Sequence, residues 1–362
     1  MHTLEDIPVW LQIIYKIHGV WQFNSNNESR FSKITAYVWC LPLYIFYLYC
    51  FGHWLYDTLV YRGLYNFLDN VDFLTSLVSI FTLVFTIALT CMRKNSLERY
   101  LQKLERTRQK LTSGPRVQRI KLPTRFEKIV LLLTLSNHAL ANVFDNFYEH
   151  FFYYIPPMVC SFNVMFLCNL LQIISHEYNE MNKNIREEET VLERKCNLDD
   201  TQITKIEQLS LLHHDLTMLA LHINNIFSTR IVVAMILWFI TTVNISYNLV
   251  FYAPRQLYLK WMVYIISMLL FFNLSLMLLL STCSSTQEEA NKTADYVHDV
   301  WNRHILRKVD KNLRHLQLIC VRLLNAKLKF TAKQFFNLDW TFYHMMIAGI
   351  ATYLVILMQF NL

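Results

Sequence analysis

Phe342–Phe360 reads FYHMMIAGIATYLVILMQF, nineteen residues without one Asp, Glu, Lys or Arg. About 20 helical residues cross a hydrocarbon core of about 30 Å. No water reaches the backbone there, so such a stretch has to be a helix that satisfies its own hydrogen bonds. Six more stretches share this character: Tyr37–Tyr56, Val71–Cys91, Ile129–Phe147, Phe151–Ser175, Ile231–Tyr252 and Tyr258–Leu280. Helices of a soluble protein alternate apolar with polar faces; these do not. The chain therefore reads as an all-α integral membrane protein with seven transmembrane helices. Of its 362 residues, 17% are charged and 54% hydrophobic. Soluble domains carry about 25% charged residues, and disordered chains are far less apolar. Five glycines argue against glycine-dependent phosphate loops.

Basic residues set the orientation. Of the 34 Lys and Arg, 31 fall before the first span or in the 93–128, 176–230 and 281–341 segments. Only Arg62, Arg255 and Lys260 occupy the other connections. Lys and Arg accumulate on the cytoplasmic side. The N-terminus is expected inside and the C-terminus outside. The chain divides into an amphipathic N-terminal segment, 1–36, and spans one to four, 37–175, with the basic inner connection 93–128. A cytoplasmic helical connection, 176–230, leads to spans five and six, 231–280. A helical anchor, 281–341, precedes the seventh span, 342–362. Lys94, Arg99, Lys103, Arg106, Arg108 and Lys110 form a basic stripe that reads as attraction to membrane lipid. No nucleic-acid motif accompanies it.

The first residues carry Glu5, Asp6 and an apolar face (Val9, Trp10, Ile13, Ile14, Ile17) instead of a basic end and a smooth apolar run. A short helix on the inner membrane surface is expected, without a cleaved signal peptide. The eight cysteines lie in spans or inner segments, so no disulfide is expected. The sequons at Asn27, Asn244, Asn273 and Asn291 fall inside or within the membrane and should stay unglycosylated. His213, His214 and Asp215 read as a helical surface, not a metal site.

The inner segments are periodic. Ile203, Ile206, Leu209, Leu212, Leu216, Leu219, Ile223 and Ile226 recur at three- and four-residue steps. Val297, Trp301, Ile305, Val309, Leu313, Leu316, Cys320 and Leu323 do likewise, and Leu97, Leu101, Leu104 and Leu111 make a shorter stripe. Each stripe needs a partner, so a helical bundle outside the membrane is expected.

Seven spans invite comparison with G-protein-coupled receptors. The orientation is reversed, and the chain lacks Asp-Arg-Tyr after the third span and Asn-Pro-x-x-Tyr in the seventh. No G protein is expected. A transporter would show matching repeats or paired broken spans. An enzyme would show clustered catalytic or metal-binding residues at one depth. Neither pattern is present, although a solute transporter or a non-signalling seven-span protein stays open as the alternative.

The end of the chain discriminates. The last span closes on Thr352-Tyr353-Leu354-Val355-Ile356-Leu357-Met358-Gln359-Phe360. It is led by Phe330-Thr331-Ala332-Lys333-Gln334-Phe335-Phe336-Asn337-Leu338-Asp339. This resembles the insect gustatory receptor family, whose signature is Thr-Tyr, five apolar residues, then Gln-Phe. The resemblance implies a ligand-gated, non-selective cation channel without a cofactor. It also implies a tetramer whose seventh spans surround one pore, with an inner anchor and a ligand pocket in each subunit's outer half. On that reading Thr352, Val355, Ile356 and Gln359, which share one helical face, line the pore and gate. Tyr353 and Phe360, on a neighbouring face, couple to the fifth or sixth span. The implied partners are a small-molecule tastant and copies of the chain or related receptors. The implied place is the plasma membrane of chemosensory neurons.

Polar side chains within spans are functional candidates. His138, Asn142, Asp145, Tyr154, Tyr247, Asn248, Trp261 and Tyr264 occupy outer halves and are the candidate ligand-binding residues. Their aromatic character favours a bitter-type compound, with a sugar left open by the amide, imidazole and carboxylate groups.

Overall fold

The computed structural model describes residues 7–17, 45, 49, 52–53, 56, 67–111, 125–144, 155–194, 200–256, 259–305 and 311–359. Among these, nine helices and one small hairpin follow in order. They are α1 (Val9–Ile17), α2 (Phe67–Met92), α3 (Lys94–Leu111), α4 (Arg125–Phe144), α5 (Ile155–Arg194), α6 (Asp200–Gln256), α7 (Leu259–Ile305) and α8 (Lys311–Asn325). The strands β1 (Thr331–Ala332) and β2 (Phe336–Asn337) and the helix α9 (Trp340–Gln359) complete the chain. The first expected span lies outside the described residues except at Ile45, Tyr49, Gly52, His53 and Tyr56, each helical. Five of the described helices are long and apolar enough to cross a membrane: α2, α5, α6, α7 and α9. The third expected span falls on α4.

Three helices outrun any bilayer. With 40, 57 and 47 residues, α5, α6 and α7 extend for about 60, 86 and 70 Å at the helical rise per residue. Spans four, five and six therefore run unbroken into the periodic segments beside them. Pro156 and Pro157 stand in the first turn of α5, where a missing N–H removes no helical bond. The stripes are buried: Ile203, Ile206, Leu216, Leu219, Ile223 and Ile226 on α6, and Leu97, Leu101 and Leu104 on α3. The third stripe is shared. Val297 lies on α7, whereas Leu313, Leu316, Cys320 and Leu323 lie on α8. Ile305, Val309 and Leu111 have side chains outside the described set.

The bundle beyond the spans is polar at selected points. Tyr178 on α5 donates to the Thr217 hydroxyl on α6 (2.9 Å), which donates to the His213 carbonyl (2.9 Å). Asn182 reaches the Glu289 carbonyl on α7 (2.9 Å) and accepts from Thr293 (2.7 Å). His213 corrects the surface expectation: it is buried, and its Nε2 bonds to the Ala290 carbonyl at 3.0 Å. It stands 18 residues before the fifth span, in phase with the buried stripe. Arg108 is also not on the basic surface. Its Nε meets Glu177 Oε1 at 3.0 Å, with the two side chains 9% and 4% exposed.

Helix α1 does more than lie on a surface. Leu11 and Tyr15 are buried against α5, while Val9, Trp10 and Ile13 are exposed. The Tyr15 ring meets Phe162 and Phe166 edge-on, and its oxygen accepts from Asn169 Nδ2 at 2.7 Å. One apolar face thus packs inward and the other faces out.

Candidate functional site

The hairpin and α9 are built as a unit. Thr331 pairs with Asn337 and Ala332 with Phe336. The turn that joins the strands has three residues, 333–335, and the first two, Lys333 (φ 51°) and Gln334 (φ 64°), are both left-handed. Phe335 N–H closes it on the Ala332 carbonyl (3.0 Å), and Leu338 N–H returns to the Phe330 carbonyl (3.0 Å). Phe330, Ala332 and Leu338 are buried. Asn224 on α6 donates to the Thr331 carbonyl (3.1 Å), and Asn291 on α7 accepts from Leu328 N–H (3.2 Å). Asp339 then caps α9, its carboxylate accepting from Phe342 N–H at 3.0 Å, which satisfies an otherwise orphaned donor.

One face of α9 is held. Phe342 stacks on Phe336 with centroids 4.0 Å apart. The Tyr343 hydroxyl donates to Asn273 Oδ1 on α7 (3.4 Å). Tyr353 meets Phe239 on α6 edge-on at 5.6 Å. Gly349 makes this approach possible, because a Cβ there would stand 3.3 Å from Phe239 Cε2. The opposite face is bare. Of the twenty residues of α9 only Met346 is buried. Thr352, Val355, Ile356 and Gln359 are all exposed. So are Thr341, His344 and Ala348, which continue the same stripe at helical spacing. Their step from Val355 was visible in the sequence, although the signature covers only the end of the helix.

Between α6 and α9 lies an apolar groove of about 930 Å³. Val232, Met235, Phe239 and Val243 wall one side, and Met345, Tyr353 and Leu357 the other. Leu74 of α2 also lines it. Among the described residues that line it, Asn244 and Tyr353 are the only ones with polar side chains. This volume suits a small apolar guest.

The comparisons with known proteins follow the same outline. Residues 11–362 match the family model described as "7tm Chemosensory receptor". This chain belongs to the seven-transmembrane chemosensory receptor family. The receptor is 32% identical over 98 residues to "Putative gustatory receptor 28b" of Drosophila melanogaster, a match covering 25% of this chain and 20% of that protein. Its fold is similar to the insect olfactory receptor OR5 of Machilis hrabei, with TM-score 0.63 and 16% identity over 97% of both chains. The same protein in complex with eugenol gives TM-score 0.57 and 14% identity over the full length of both. The receptor is thus a multi-pass membrane protein with a seven-span helical fold, and not an enzyme.

The receptor's candidate ligand residues separate into two groups. His138 and Asn142 lie on α4, and Trp261 and Tyr264 on α7; their side chains are outside the described set. Those two helices do meet, since Asn137 Oδ1 accepts from the Ser267 hydroxyl one turn away. Tyr247 is buried on α6. Asn248, half-exposed, donates to Asn244 Oδ1 (3.3 Å), which borders the groove. Asp145, Tyr154 and Phe360 lie outside the described residues.

Proposed function

We propose that the chain is a gustatory-type receptor: a ligand-gated, non-selective cation channel of the plasma membrane of chemosensory neurons. Its pore is walled by α9 helices from several copies of the chain, or from the chain and related receptors. The observation that carries this reading is the two-faced seventh helix. Its inner side is fastened to α6 and α7, and its bare side presents Thr352, Val355, Ile356 and Gln359. Copies around an axis would place a ring of Gln359 amides at one mouth and apolar rings of Val355 and Ile356 beside it. Apolar constrictions close by dewetting and open on widening.

The agonist is a small, mostly apolar compound of the bitter type. The olfactory relative is described with eugenol, an aromatic of that size. Two places suit it: the outer ends of α4 and α7 around His138, Asn142, Trp261 and Tyr264, and the groove beside Tyr353. The groove borders α9 directly, and α7 bonds to α9 through Asn273 and Tyr343.

The test is expression of the full chain, alone and with related receptors, with current recording during a screen of small aromatics. Ligand-evoked cation current whose conductance or dose response changes in Gln359→Ala is the expected result. Saturable solute flux without current would replace this reading with a transporter. An unchanged current in Gln359→Ala would remove that residue from the pore.

A further inference from the structure

The stretch that joins α8 to α9 carries a basic row on its outer side. From Ala326 to Leu338 it holds Lys327, Lys329 and Lys333 and not one Asp or Glu. Burial alternates along it with the period of an extended chain. Leu328, Phe330 and Ala332 are buried in the core of the bundle, and the three lysines are exposed. Among the described residues none of the three enters an ion pair. Two aromatic rings stand beside the row in the open: Phe335 in the turn is 78% exposed, and Trp340 at the foot of α9 is 41% exposed.

Two side chains fix the level of this row. Asn291, which accepts from Leu328 N–H, stands on α7 about 16 Å beyond Leu280, where span six ends. Asn224, which donates to the Thr331 carbonyl, stands on α6 about 10 Å short of Ile231, where span five begins. The chain therefore rises toward the apolar edge from Leu328 to Thr331, and Asp339 then starts α9 on its way into the membrane. Headgroups occupy about 5–7 Å outside the hydrocarbon core, and their surface potential reaches about 8 Å further. Flexible lysine stems carry the ammonium groups closer still. Lys333 keeps its side chain at a left-handed backbone position, a strain that is typical of functional sites.

We infer that the lysine row and Phe335 form a docking surface for anionic phospholipid headgroups, of the phosphatidylserine type, at the foot of α9. The ammonium groups meet the headgroup charges, each lysine favouring anionic over neutral lipid about fivefold. Phe335 and Trp340 take the interfacial place that suits aromatic rings. On the orientation that the basic residues give, this leaflet is the cytoplasmic one, where anionic lipids reside. The hairpin is fastened to α6 and α7 and runs straight into α9, so lipid held here is held against the base of the last span. Lipid association is read without any current, and so it stands or falls independently of the channel reading.

The experiment places the purified full chain in neutral detergent with excess phosphatidylcholine and adds tail-brominated lipid, which quenches tryptophans it touches. The signal of Trp340 is the difference between the parent and Trp340→Phe. Brominated phosphatidylserine should quench it at an about tenfold lower mole fraction than brominated phosphatidylcholine. Lys329→Gln combined with Lys333→Gln, both at exposed positions, should melt like the parent and bring the two lipids within about twofold of each other. Lys103→Gln, on the exposed side of α3, should keep the preference. Equal quenching by the two lipids in the parent, or quenching by neither, would leave the lysines solvated or covered by another copy and overturn the inference. A preference that survives in the double variant would overturn it too, by moving the lipid to another basic surface. So would loss of the preference on adding an equal concentration of soluble glycerophosphoserine, which would make this a site for a free anion.

Discussion

Removing one half of the Arg108–Glu177 pair should cost the receptor much of its stability. The two groups meet at 3.0 Å between α3 and α5 with almost no exposure. In Arg108→Met the Glu177 carboxylate stays behind, buried and without its guanidinium partner. Breaking a buried pair from one side costs about 3–5 kcal/mol, because the residual charge is stranded away from water. Removing both with side chains of similar volume is far cheaper and sometimes neutral. At ~2–4 °C per kcal/mol, each single variant should melt about 6–20 °C below the parent in a thermal scan of purified protein. Arg108→Met combined with Glu177→Met should recover most of that loss. The non-additivity is the diagnostic quantity: a coupling of about 2 kcal/mol or more is expected for charges in direct contact. Single variants within a degree or two of the parent, or a double variant equal to the sum of the singles, would refute the reasoning. Either result would mean that water reaches the pair and that it adds little to the packing that holds α3 to the bundle.

Further outcomes are expected elsewhere. Tyr15→Phe leaves the Asn169 amide donor buried and unpaired, at about 1–3 kcal/mol, and should release α1 to limited proteolysis while the rest stays intact. Replacing Lys333-Gln334 with Asn-Gly relieves two left-handed backbone positions and should raise the melting temperature, since about 1–2 kcal/mol attaches to each such residue. Burial pushes the His213 imidazole below its ordinary range, a shift only partly offset by its bond to the Ala290 carbonyl. The unfolded chain then binds the proton more readily. Stability from this group is full above the unfolded value of about 6.5 and falls as pH drops below it. In His213→Gln that part of the acid sensitivity should vanish from melting curves taken between pH 7 and 5.

The sequence carried the fold further than the site. Stretches such as Ile231–Tyr252 announce themselves because a bilayer excludes charge, and the phase of Ile203 through Ile226 continues from span to stalk without a break. The Thr352–Phe360 signature marked the helix that the structure leaves half bare. Other features were hidden for physical reasons. Within lipid, a face packed on protein and a face on acyl chains are equally apolar. Val232, Met235 and Phe239 therefore gave no hint that they wall a groove. Arg108 read as part of a basic surface stripe because pairing and burial depend on the facing helix. His213 was legible in principle: it falls in the buried row between Leu209 and Leu216, but its neighbours His214 and Asp215 drew the reading toward the surface. The joining of α4 and α7 at Asn137 and Ser267 needed the fold, since no local pattern relates residues 130 apart.

The central claim is that the bare face of α9 walls the ion path. Single cysteines along that helix test it, with a water-soluble thiol reagent applied during recording from the full chain. Modification at Thr341, Ala348, Thr352, Val355 and Gln359 should block or alter the current, while Met346 and Leu357, on the face packed against α6, should stay silent. Equal reactivity on both sides of the helix, or reactivity confined to the packed side, would contradict the account.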